Sequence, residues 1–258
     1  MVGTILSDFR GLRRVCGTGA AVRWMWSIGR QFPACRAARN LQPADRAMGE
    51  GPFRARLRGA KADMVGPQVI SGIREIWVRD VYLDGGFLTI PPDGRVVDLG
   101  ANMGNFTMLA LGHGPGVSVV AVEPCRPAAE MLRRQVRQNG WEDRVRVCDR
   151  FIGARTVAQD GLLATPDFAG AEFITPQQFL DEYGLDRVDF LKCDIEGSEF
   201  GLLTEDSPLL ARTKQLAIEL HDWGGDRPAF LEMLRRLGFD VRVVRESGED
   251  CVALARRR

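Results

Sequence analysis

Histidine is almost missing from this chain, at two residues in 258. None of the six cysteines, at 16, 35, 125, 148, 193 and 251, forms a C-x-x-C pair. A structural zinc centre draws four ligands from such pairs and from histidines, so this ligand supply argues against one. Cysteines scattered through apolar runs behave as small buried hydrophobes and fit a reducing, cytoplasmic setting. No uncharged apolar run is long enough for a spanning helix. A compact signal peptide is absent too, because Asp8, Arg10, Arg13 and Arg14 interrupt the first apolar stretch. Neither sign of charge is in excess, with 35 basic and 34 acidic residues, so the total gives no reason to expect a nucleic-acid partner. Internal repeats and low-complexity segments are also lacking.

The charge is instead divided along the chain. Residues 1–60 hold eleven arginines against three acids, a net of +8, and the remaining residues carry about the opposite excess. The pattern predicts a basic, helical N-terminal extension over residues 1–65 and a globular domain over 66–258. Ile5, Leu6, Phe9, Leu12, Val15 and Cys16 keep a helical spacing, and Trp24, Met25 and Trp26 sit beside Arg23 and Arg30. Two roles stay open for this extension. It is either a helical cap on the main domain or an amphipathic segment in peripheral contact with an anionic membrane. The Gly- and Arg-rich stretch from Gly49 to Gly59 reads as a linker.

From about residue 66 the chain becomes regular. Ile73 to Leu83 reads as an extended lead-in. Apolar strands then alternate with helices: RVVDLG (95–100), a helix from about 104, VSVVAVEP (117–124), a helix over 126–139, VRVCD (145–149), and, after an irregular stretch over 150–173, a helix started by Thr175, Pro176 and Gln178. VDFLKCDI (188–195), QLAIELHD (215–222) and a helix over 228–237 follow, and two last strands flank a turn at Gly248. Strand–helix alternation predicts a parallel sheet covered on both faces. The short final connection forces its two strands to pair antiparallel. The expected fold is α/β and Rossmann-like, with five parallel strands and a C-terminal antiparallel hairpin.

The first chemical pattern is Asp98-Leu-Gly100-Ala101-Asn102-Met-Gly104-Asn105, where the first strand meets its helix. Ligands of open α/β sheets bind beyond the carboxyl ends of the strands. Glycines let them approach the backbone. Glu123, ending the second strand, suits the two hydroxyls of a ribose. A dinucleotide would bring a pyrophosphate to this loop, and Asp98 would repel it by about 1–4 kcal/mol at about 4 Å. The same carboxylate suits the amine and sulfonium of S-adenosyl-L-methionine. That cofactor is the preferred reading, against NAD or a flavin and against a bare structural turn. Asp149 ends the third strand and is either an adenine contact or a solvated acid.

The second pattern is Phe190-Leu-Lys192-Cys-Asp194-Ile-Glu196-Gly-Ser-Glu199-Phe200. Strand side chains alternate faces, so Lys192, Asp194 and Glu196 should share one. Glu199 reads as favouring the start of a helix, and Lys192 with Asp194 as either an internal ion pair or part of a site. Glu219 and His221 end the neighbouring strand. Methyl transfer to a hydroxyl needs alignment and a base. His221, Asp194 and Glu196 are the base candidates, with Lys192 holding a carboxylate or an acceptor oxygen. A Mg²⁺ on Asp194, Glu196 and Glu219 is chemically reasonable, but the clustering of a dedicated site is absent and no metal is expected.

VVDLGANMGNFTML (96–109), AVEP (121–124), VDFLKCDIEGSEFGLL (188–203) and AIELH (217–221) resemble the FkbM family of S-adenosylmethionine-dependent methyltransferases, as does the lead-in IREIWVRDVYL. The stretch DRFIGARTV (149–157) departs from the Ala-Leu-Ser-Asp type common in the family. The resemblance implies the seven-stranded class I methyltransferase fold and O-methylation of a sugar or other natural-product hydroxyl. By position it implies cofactor contacts at Asp98, Gly100, Asn102, Gly104 and Glu123, to which the loop residues Ala101 and Asn105 and the acid Asp149 are added. A reaction site is implied at Lys192, Asp194, Glu196 and His221. The expected acceptor is a small molecule, glycan or glycolipid. N- or carboxyl-methylation, or a cofactor-binding module without catalysis, are the alternatives. Oligomeric state leaves no mark in the residues.

Overall fold

The structure is a computed structural model that describes residues 2–248 and 250–258. Four helices come first: α1 (Val2–Cys16), α2 (Thr18–Arg30), α3 (Phe32–Ala38) and α4 (Gln42–Arg46). A hairpin of β1 (Phe53–Leu57) and β2 (Ala60–Met64) follows, where the sequence reads as a linker. Phe53, Ala55 and Leu57 are buried while Arg54 and Arg56 face out. Arg58 and Gly59 both take positive φ, 47° and 91°, which matches the twist of a two-residue strand turn. Composition hid an alternating strand.

The helix α5 (Val69–Gly72) continues into a π-helical turn, Ile73–Val78, and so corrects the extended lead-in. Val69, Ile70, Ile73 and Trp77 are all buried. Their spacing of three and four is a helical period, and it overrides the β-branched composition.

The doubly covered body follows: β3 (Arg95–Leu99), α6 (Asn105–Gly112), β4 (Ser118–Val122), α7 (Arg126–Asn139), β5 (Val145–Cys148), β6 (Phe151–Ile152), α8 (Val157–Leu163), β7 (Phe173–Ile174), α9 (Pro176–Tyr183), β8 (Phe190–Cys193), α10 (Glu199–Leu202), α11 (Pro208–Ala211), β9 (Gln215–His221), α12 (Arg227–Arg236), β10 (Phe239–Ser247) and β11 (Asp250–Arg257). The stretch expected to be irregular thus holds β6, α8 and β7. The main sheet runs β10-β11-β9-β8-β3-β4-β5. The strands β3, β4, β5, β8 and β9 pair parallel, and β11 is antiparallel to both β9 and β10. This is the class I methyltransferase sheet, with the last strand inserted inside its own hairpin.

The pleat divides the core in two. Val97, Leu99, Leu191, Cys193 and Ile218 face α9–α12. Val96, Ala121, Phe190, Ala217 and Val252 face the other way, into one core shared with Leu12, Trp24, Ile70 and Trp77 of the N-terminal region. A buried ion network ties that region down. Arg74 bonds Asp8 Oδ2 at 2.7 Å and Asp45 Oδ2 at 2.6 Å, Arg79 bonds Asp8 at 2.8 Å, and Trp24 Nε1 donates to Asp45 at 2.7 Å. Two of the three acids among the first sixty residues therefore act inside the fold. Among the described residues no helix is long and apolar enough to cross a membrane.

Candidate functional site

After β3 the chain builds outward through β4 and β5, then returns to lay β8 on the other side of β3. The loops after β3 and β8 diverge there and open a crevice. A cavity of about 520 Å³ fills it. Its floor is the loop after β3. The amides of Gly100 and Ala101 both bond the Val122 carbonyl at 3.0 Å. Gly100 has φ 69°, and a Cβ there would lie 1.8 Å from the Asp194 carbonyl oxygen. Only glycine lets the two strand ends lie this close.

Glu123 stands at one side of the cavity. Its Oε2 accepts from Asn102 N at 2.7 Å and its Oε1 from Cys125 N at 2.8 Å. Burial pushes its carboxyl above the usual range, against the pull of those two amides. A carboxylate has about four lone-pair sites, so two remain for a diol in the cavity. The opposite wall is apolar: Phe151, Ile152, Leu162 and Phe168, with Gln159 as a polar edge. Phe151 stacks between Phe168 and Phe173, at ring-centroid distances of 5.8 and 5.2 Å. Apolar walls, one acid and a backbone cradle fit a nucleoside that carries no phosphate.

Of the residues selected from the sequence, Gly100, Asn102, Glu123, Asp194 and Glu196 line this cavity. The others lie elsewhere. Asp98 is fully buried; its Oδ2 accepts from Thr107 Oγ1 at 2.7 Å, and its Oδ1 lies 3.4 Å from Lys192 Nζ. Lys192 is buried as well and donates to the carbonyls of Leu99, at 3.1 Å, and Gly100, at 2.6 Å. Burial alone would lower its ammonium, but Asp98 and Asp194 outweigh that and hold it above its usual value. Asp98 and Lys192 thus brace the glycine loop from beneath and present no charge to the cavity. Ala101 is buried, Gly104 (φ 87°) leads into α6, and Asn105 packs against Gly72. Asp149 is exposed, 3.6 Å from Arg133, and points outside the cavity lining.

The expected alternation holds through Lys192 and stops at Cys193, where β8 ends. Glu196 takes φ 52° and Gly197 φ 86°, so the chain leaves the sheet as a turn. Glu199 anchors that turn. It is fully buried, and its Oε1 accepts from Ile195 N at 3.0 Å, from Gly197 N at 3.2 Å, and meets His221 Nδ1 at 3.0 Å. This is more than a favourable charge at a helix start. His221 Nε2 lies 3.6 Å from the exposed Glu196. The bond to Glu199 raises the His221 imidazole to about 9. A value above neutrality favours the imidazolium, which has no free lone pair. Asp194, Glu199 and His221 each place one ligand-type atom within 4.8 Å of the others. Glu199 Oε1 already serves two amides and the imidazole, while its Oε2 is buried without a partner.

Two contributors were not drawn from the sequence. Tyr82 donates to Asp194 Oδ2 at 3.3 Å, and it lies inside the segment read as an extended lead-in. Trp223 lines the cavity and covers Gly197, where a Cβ would meet its ring at 2.2 Å. Its position two residues after His221 was an available signal. The aromatic wall came from the stretch that resists pattern reading.

Residues 98–242 match the Methyltransferase FkbM domain family, more than half of the chain. This chain belongs to the FkbM methyltransferase family. It is thus an enzyme of the S-adenosylmethionine-dependent methyltransferase class, and the alternative of a module without catalysis falls away. Among curated proteins, this FkbM-family chain is 29% identical to the 31-O-demethyl-FK506 methyltransferase FkbM of Streptomyces tacrolimicus, over 65% of this chain and 80% of that one. It is 28% identical to the AMB antimetabolite synthetase AmbE of Pseudomonas aeruginosa, over 66% of this chain and only 10% of AmbE's length. Methyltransferase sdnD of Sordaria araneosa is 22% identical over 70% of this chain and 88% of its own. The precorrin-6y C5,15-methyltransferase of Geobacter metallireducens superposes with a TM-score of 0.42 at 16% identity, over 70% of this chain and 89% of that one, and adds nothing to what the strand order already says.

Proposed function

We propose that the cavity beside Glu123 binds S-adenosylmethionine and that the enzyme methylates a hydroxyl oxygen of a small-molecule, glycan or glycolipid acceptor. The observation that carries this reading is Glu123. Its carboxylate is fixed by two backbone amides and faces a cavity whose far wall is aromatic, which suits a ribose with its adenine. The name of the Streptomyces relative includes a demethylated oxygen, and that supports oxygen as the acceptor atom.

When bound, the cofactor supplies an already activated methyl group. The chain's own residues then align the acceptor and take one proton. Asp194 lines the cavity, 3.7 Å from Lys192 Nζ and 3.3 Å from the Tyr82 hydroxyl, so its carboxylate is held in place. Glu219 lies beside it on the next strand. Burial first, and then the Asp194 charge, raise the Glu219 carboxyl to about 7. A carboxylate pair with one member near neutral pH takes up the acceptor's proton as a unit. The imidazolium of His221 and the buried Glu199 keep the Glu196 turn fixed, and Trp223 covers that turn against water.

Titration calorimetry with S-adenosylhomocysteine, followed by methyl-label transfer to fractionated extracts, tests the reading. Wild type, Asp194→Asn and Glu219→Gln should bind the nucleoside alike, while the two variants lose label transfer by roughly a hundredfold or more. No heat with S-adenosylhomocysteine, or undiminished transfer by both variants, refutes it.

A further inference from the structure

A second cavity, of about 670 Å³, opens between α3, α4, the π-helical turn and β10. Five arginines and two carboxylates are among its lining side chains. Arg74 and Arg79 turn back onto Asp8 and Asp45, and Arg245 pairs with Glu75 at 2.9 Å. Arg36 on α3 and Arg39, its left-handed C-terminal neighbour at φ 55°, have no carboxylate partner among the described residues. Charge in this cavity is therefore positive beyond what the fold neutralises.

One row of side chains runs between the two cavities, which have no lining residue in common. Cys193 pairs with Ile218, which puts Asp194 beside Glu219; Glu219 pairs with Val252, and Val252 with Arg245. Paired residues share a face, and Val252 belongs to the core on the N-terminal side. Asp194 lines the first cavity, and Glu75 and Arg245 line the second. After burial, the charges that raise the Glu219 carboxyl are those of Asp194 and then Glu75, so all three acids face one another along the row. Strands are spaced about 4.8 Å apart, so three steps put Arg245 roughly 14 Å from Asp194.

We propose that the arginine cavity is the distal part of the acceptor site, and that it takes a phosphate or carboxylate carried roughly 14 Å from the methylated oxygen. The proposal rests on the reading of Asp194 as the residue beside that oxygen. Planar guanidinium forks bind such oxyanions in bidentate fashion. Arg36 and Arg39 are the two forks left open, and Arg245 sits where the acceptor would pass from one cavity to the other.

The test uses the full chain and inorganic pyrophosphate as probe, followed by calorimetry at low salt. The Arg36→Gln/Arg39→Gln double variant should bind it roughly tenfold weaker or worse. Arg137→Gln, which breaks only the surface pair with Glu130, should bind as wild type does. Glu123→Gln should keep pyrophosphate binding while weakening S-adenosylhomocysteine roughly tenfold or more, which separates the two sites. No heat with pyrophosphate, or equal affinity in the double variant, overturns the proposal. With methyl-labelled cofactor and an extract, label should enter material retained on an anion-exchange resin, and the double variant should raise KM for it at unchanged kcat. A mobility change after phosphatase or phosphodiesterase treatment marks the anion as phosphate, and loss of resin retention after carbodiimide amidation marks it as carboxylate. Label confined to neutral material overturns the proposal. Label nowhere, with pyrophosphate still bound, refutes the methyl-transfer reading and the acceptor role together.

Discussion

Replacing Glu199 with glutamine should remove much of the pH dependence of stability above neutrality. In the folded protein the His221 imidazole is raised from 6.5 to about 9, first by its bond to Glu199 and further by Glu196 and Asp194. The folded state thus holds a proton that the unfolded chain releases near 6.5. The resulting stabilisation is complete below about pH 6.5 and disappears as pH rises through about 9. At about 1.4 kcal/mol per unit, the whole contribution is about 3 kcal/mol, of which about 2 kcal/mol is lost between pH 7 and 9. Glu219, raised to about 7, acts mainly below this window, and the half-buried thiol of Cys16, raised to about 12, acts above it. Glu199→Gln keeps an oxygen for the amides of Ile195 and Gly197 but removes the charge beside the ring. Urea unfolding at half-unit steps from pH 7 to 9 should give a falling midpoint for wild type and a much flatter one for the variant, with equal m-values. Parallel midpoint curves would show that the proton on His221 is not held by Glu199.

Three further outcomes follow from the same geometry. Gly100→Ala places a Cβ 1.8 Å from the Asp194 carbonyl oxygen at a positive φ; it should cost about 2–4 kcal/mol by thermal or urea unfolding and abolish S-adenosylhomocysteine binding. Arg74→Leu leaves Asp8 and Asp45 buried beside an apolar side chain and should destabilise by about 3–5 kcal/mol; adding Asp8→Asn and Asp45→Asn should recover part of that, and no recovery would count against the ion network as the cause. Glu123→Gln should weaken S-adenosylhomocysteine by roughly tenfold to a hundredfold in calorimetry, with an unfolding midpoint close to wild type.

Local pattern carried much of the fold. The helix over 126–139 was legible to the residue, because its apolar face and its closing Gly140 are both sequence features. So was the Thr175 capping box, which depends only on residues three apart. The glycine loop, Glu123 and the Lys192–Glu199 element were legible for the same reason: each is a short stretch at a strand end. The hairpin over Phe53–Met64 and the π-helical turn at Ile73–Val78 were misread because composition was weighed above period.

What each charge does was decided only by tertiary structure. A row of alternating acids and a lysine looks the same whether it faces a ligand or the underside of a loop. Strand pairing sets Lys192 beside Asp98, and both are buried, with Thr107 of α6 bonded to Asp98 and the Tyr82 ring beside Lys192. His221 reads as a base until a buried Glu199, twenty-two residues earlier, meets its ring and favours its protonated form. The Tyr82 contact and the arginine cavity are built from segments distant in the chain, and the aromatic wall from a single stretch without a clear period. Spacing along a sequence records period and turns, whereas burial and partner charge belong to the packed molecule, and those two quantities decide which titratable group binds, which braces and which reacts.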